Sequence, residues 1–124
     1  MKSSHILLSM ALAMIAPLAL AEGKASQEIA AIVKDLNHFP SAEQKETLKQ
    51  ISSNEDNSEA LQTIATAVQN MQHKVSEEDA AKLKEIANSD SASADEKQLA
   101  SIVLDINHKP SADAVAKLEK LAAK

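Results

Sequence analysis

Asn37-His38-Phe39-Pro40-Ser41, Gln72-His73-Lys74-Val75-Ser76 and Asn107-His108-Lys109-Pro110-Ser111 are three versions of one pentapeptide, spaced 35 residues apart. The same spacing runs outward from them in both directions. Upstream, Ile29-Ala30 recurs as Ile64-Ala65 and Leu99-Ala100, Val33 as Val68 and Val103, and Leu36 as Met71 and Ile106. Downstream, Leu48 returns as Leu83 and Leu118, and Ile51 as Ile86 and Leu121. One Ala, one Val, one His, one Ser and one Leu are identical in all three copies. A fixed period of this length is the signature of a tandem-repeat architecture, in which each unit is one supersecondary element.

Each unit reads as two helices. Ile29, Ile32, Val33 and Leu36 follow the i, i+3, i+4, i+7 spacing of one helical face. Leu99, Ile102, Val103 and Ile106 repeat it, and Leu61, Ile64, Val68 and Met71 keep its outline. The first helix must stop before Pro40 and Pro110, because proline disfavours helical backbone in the residue before it. The serine after each turn is placed to cap a second helix. Ser41-Ala42-Glu43-Gln44 has the capping-box form, as does Ser93-Ala94-Asp95-Glu96 between units. Ser76-Glu77-Glu78-Asp79 and Ser111-Ala112-Asp113-Ala114 set acids where the helix dipole favours negative charge. The second helices carry thinner apolar seams: Leu48 and Ile51, then Ala80, Leu83, Ile86 and Ala87, then Val115, Leu118 and Leu121.

The expected fold is therefore all-α: three tandem helical hairpins, six short helices, forming a short α-solenoid or an irregular helical bundle. The units fall at about residues 24–58, 59–93 and 94–124, joined by the polar stretches Ser52–Ser58 and Asn88–Ser93. The period is near that of tetratricopeptide repeats, but their Trp, Gly, Tyr and Phe signature positions are absent. Only the hairpin-array analogy holds.

Residues 1–21 read as a cleavable signal peptide. Lys2 supplies a short basic n-region, and Ile6 to Leu20 is an apolar run too short to span a bilayer comfortably. Ala19-Leu20-Ala21 follows Pro17 with the small-x-small pattern of a processing site, so cleavage is expected before Glu22. His5 would leave with this segment. The working chain is then a single exported domain, residues 22–124, without a stable membrane anchor and expected in the periplasm or secreted.

Composition narrows the functions open to it. The 13 Lys and Arg are all lysine, set against 18 acids, and the net charge is −5. An acidic chain with no Arg, Trp or Tyr and a single Phe is a poor nucleic-acid binder. Zero Cys excludes disulfides, thiol chemistry and thiolate metal sites. The single Gly, Gly23, leaves no phosphate-cradling loop and no Gly-x-Ser-x-Gly elbow. Asn54-Glu55-Asp56-Asn57 and Asp90-Ser91-Ala92-Ser93 lack the mid-loop Gly of a calcium loop, and Ser101 stands where a loop from Asp90 needs its Glu. An enzyme is not expected.

His38, His73 and His108 are the one titrating or ligating side chain repeated identically in every copy. Continued helical phase puts them opposite the apolar face, with Asp35, Asn70 and Asp105 three residues before them. The plain reading is helix termination, an imidazole in the last turn bonding free carbonyls. The sharper one is a transition-metal site for zinc or copper, with His38, His73, His108, Asp35 and Asp105 as ligands. In an open stack, equivalent residues would lie roughly 10 Å apart, the helix packing distance, so one ion could not join them. Sharing an ion requires the repeats to close around a pseudo-threefold axis, or an oligomer. A pH-sensing or partner-contact role is the third use of a repeated imidazole. The expected functions are, first, an envelope scaffold that binds another envelope protein or itself. Metal binding or sequestration comes second, and a small envelope chaperone third.

Overall fold

The computed structural model describes residues 24–123, and the segment read as a signal peptide lies outside them. The fold is all-helical. Residues 24–34 form α1, followed by α2 (Ala42–Ser53), α3 (Glu59–Gln69), α4 (Glu77–Ala87), α5 (Ala94–Leu104) and α6 (Ala112–Ala122). No helix among the described residues is long and apolar enough to cross a membrane.

The start of every second helix follows from its serine. Ser41, Ser76 and Ser111 are N-caps whose side chains accept from the amides of Gln44, Asp79 and Ala114. Each removes one of the orphan donors of a helix start. The capping boxes expected at Ser41 and Ser93 are both complete. Glu96, which closes the second box, is buried and also accepts a 2.6 Å bond from the Ser58 hydroxyl. Ser58 itself caps α3, so one carboxylate ties the N-terminal ends of α3 and α5 together.

The helices divide into an inner and an outer set. Ile29, Ala30 and Val33 of α1, Ile64, Ala65 and Val68 of α3, and Leu99, Ala100 and Val103 of α5 are all completely buried. The identical alanine of each copy sits in this interior, where a small side chain lets helices approach closely. α3 packs on α5, and each also packs on the second helix of its own hairpin. Among α2–α6 the most extensive helix contacts cross between hairpins: α2 lies along α3, and α4 along α5. The outer helices bury narrow seams, Leu48 and Ile51, Leu83, and Leu118 and Leu121, into one continuous core. That core is aliphatic, and among the described residues a single large hydrophobic side chain, Phe39, is left exposed.

The first helices end sooner than the apolar periodicity implies. α1 stops at residue 34, α3 at Gln69 and α5 at Leu104, four residues before each histidine. Leu36, Met71 and Ile106 are still buried, but from non-helical backbone. The histidines therefore stand in the turns between helices and not on a last helical turn.

Candidate metal centre

Each histidine occupies an unusual backbone position. φ is 73° at His38, 72° at His73 and 77° at His108, the three positive values found at non-glycine residues among those described. In the left-handed region the β-carbon crowds the following carbonyl, at a cost of about 1–2 kcal/mol per residue. Glycine would carry no such cost. The Phe39 amide bonds back to the Asn37 carbonyl at 2.9 Å, closing a three-residue turn around His38.

The three turns, 35 and 70 residues apart in sequence, meet in space. The His38 amide donates to the His108 carbonyl at 2.5 Å, His108 to His73 at 2.6 Å, and His73 to His38 at 2.6 Å. The result is a closed triangle of peptide hydrogen bonds with one histidine at each corner. The rings follow this backbone. Their centroids are 4.9–5.1 Å apart and their planes 75–81° apart, each ring edge-on to the next like blades of a propeller. The Nδ1 atoms converge at 3.2, 3.2 and 3.0 Å. Of the two arrangements expected for the hairpins, these contacts realise the closed one.

Such a triangle cannot satisfy itself. A neutral imidazole nitrogen carries either a hydrogen or a lone pair, never both. Around three mutually contacting nitrogens, at least one pair must then be donor against donor or acceptor against acceptor. A cation on the axis removes the conflict, because all three lone pairs point at it. The spacing suits one. With metal–nitrogen bonds of about 2.0–2.1 Å, nitrogens 3.0–3.2 Å apart subtend about 95–105° at the ion. That lies between the facial corner of an octahedron and the face of a tetrahedron, and both leave positions open opposite the protein.

His38, His73 and His108 form the one group of potential metal ligands found among the described residues, with all ligand atoms within 4.8 Å of one another. Asp35 and Asp105 do not join it. Asp105 is the C-cap of α5, and Asp35 occupies the matching turn after α1. The carboxylate–histidine pairing expected at i, i+3 needed a helix running through the histidine, and that helix has already ended. The imidazoles do not cap helix carbonyls either, since their Nδ1 atoms face each other. No protein-family model, curated protein or solved structure matches this chain.

The positive φ has a measurable consequence. His108→Gly and His108→Ala both remove the imidazole, but only glycine removes the β-carbon. The glycine variant is expected to be the more stable in denaturant unfolding without metal, by about 1 kcal/mol. Equal midpoints would show that the turn is unstrained.

Proposed function

We propose that this protein binds a divalent transition metal ion, zinc or copper, through His38, His73 and His108. The observation that carries this reading is the convergence of three Nδ1 atoms within 3.2 Å of one another. Neutral imidazole is a good ligand for both metals; the chain has no thiolate, and no carboxylate joins the ligand cluster. Pre-organisation strengthens the case. The peptide triangle fixes the three residues before any ion arrives, so little ordering entropy is left to oppose binding. The backbone strain at all three positions points the same way, because such strain persists where surrounding structure over-determines it and clusters at functional sites.

Metal binding takes precedence over the scaffold and chaperone readings because it gives one reason for the same residue in all three copies. A chaperone needs an exposed apolar surface, and here Phe39 alone of the large hydrophobic side chains is exposed among the described residues. Taken with the leader read at residues 1–21, the proposed role is metal holding or transfer in the cell envelope, with the periplasm as the proposed location.

Native mass spectrometry of the protein with equimolar zinc or copper tests this reading. The expected result is one ion per chain, absent from the variant carrying His38→Ala, His73→Ala and His108→Ala. An adduct that survives the triple substitution, or none in the parent, would overturn it.

A further inference from the structure

The open side of the triad is not equivalent all round. The residues that follow the three histidines are Phe39, Lys74 and Lys109. Six residues further on, the same comparison gives Lys45, Ala80 and Val115. An aromatic ring and a second-helix cation therefore coincide beside one histidine turn and beside neither of the others. They meet physically, with the Lys45 ammonium 5.9 Å from the Phe39 ring centroid. Together with Gln72 and His73 they line a cleft of about 220 Å³ between the first and second hairpins. His73 is thus shared between the triad and this cleft.

Charge decides what the cleft would hold. Three neutral imidazoles leave a divalent ion with its full charge uncompensated. Lys74 and Lys109 each follow a histidine and Lys45 lines the cleft, while no acid joins the triad or lines the cleft. In a chain of net charge −5 the charged residues next to the histidines in sequence and in the cleft are thus lysines, so the remaining coordination position favours an anion from solution. Phe39, 55 % exposed, supplies an apolar wall that a bare inorganic anion would not use.

We infer that the metal-loaded triad takes a small carboxylate bearing an apolar group as its remaining ligand. The carboxylate faces the ion and Lys45, and the apolar part lies against Phe39. This rests on the metal reading above, and the two fail differently.

Cobalt(II) is the probe, because its visible absorption responds to a change of ligand. Protein already saturated with cobalt is titrated with benzoate, acetate and benzyl alcohol. Benzoate and acetate are expected to change the spectrum and benzyl alcohol to leave it alone, with benzoate binding about tenfold tighter than acetate. Phe39→Ala should bring benzoate down to the level of acetate, and Lys45→Gln should weaken both carboxylates. Phe39 is exposed, so its removal leaves the core intact; Phe39→Leu, which keeps an apolar wall, should retain part of the preference. Equal affinity for benzoate and acetate, or a preference unchanged by Phe39→Ala, would overturn the cleft while leaving the metal centre standing. Failure of cobalt to bind at all would overturn the metal reading, and the cleft with it.

Discussion

Zinc is expected to raise the stability of the metal-free protein by about 4 kcal/mol when free zinc is about a thousandfold above its Kd. For a domain of about one hundred residues that corresponds to a rise in Tm of roughly 15–30 °C. The size follows from where the ligands sit. Each histidine comes from a different hairpin, and the two ends of the set are 70 residues apart in sequence. An ion bound by all three holds the whole bundle closed, whereas the unfolded chain presents the same imidazoles with no fixed geometry. His73→Ala should remove nearly all of the zinc-induced rise in calorimetry, because two imidazoles cannot retain the ion at the same concentration. A rise of the same size in that variant would place the zinc elsewhere.

The second large effect concerns the core. Leu99 is completely buried in α5, within the continuous aliphatic core. Leu99→Ala is expected to cost about 2–5 kcal/mol in urea unfolding. Natural domains hold only about 5–15 kcal/mol in total, so this is a large fraction of the stability. Phe39→Ala, on the exposed turn, should stay within about 0.5 kcal/mol of the parent. A small effect at Leu99 would mean that the interior is loosely packed. The two perturbations are also separable. Leu99 is not a ligand, so its alanine variant should still bind one zinc and be stabilised by it.

Much of this architecture was legible in the sequence because local chemistry specifies it. Apolar residues at 3.6-residue spacing named the buried face of each first helix, and every one of Ile29, Val33, Ile64, Val68, Leu99 and Val103 is in the core. Serine caps gave the starts of the second helices, since a side-chain oxygen bonding an amide three residues on is a short-range event. Helix ends were less legible. Leu36, Met71 and Ile106 continue the apolar phase although the helix has stopped, because burial needs a side chain pointing inward and not a helical backbone. Extending the phase through them put Asp35 and Asp105 one helical turn before the histidines, but each helix has ended before its aspartate.

The closure of the turns was not legible at all. It depends on peptide bonds between residues far apart in sequence, and on a left-handed conformation that glycine would have advertised and histidine conceals. What the sequence did hold was the constraint: three identical residues at identical offsets can share an ion only if their hairpins surround an axis.

The most direct measurement is a proton–nitrogen NMR correlation of the histidine rings with and without one equivalent of zinc. Coordination through all three Nδ1 atoms predicts that the Nδ1 resonances of His38, His73 and His108 shift together, with each Nε2 carrying the ring hydrogen in the zinc-bound state. A zinc-bound state in which any of the three Nε2 atoms lacks its hydrogen, or zinc-induced Nδ1 shifts at only one or two of the three rings, would contradict a shared ion on the axis of the triad.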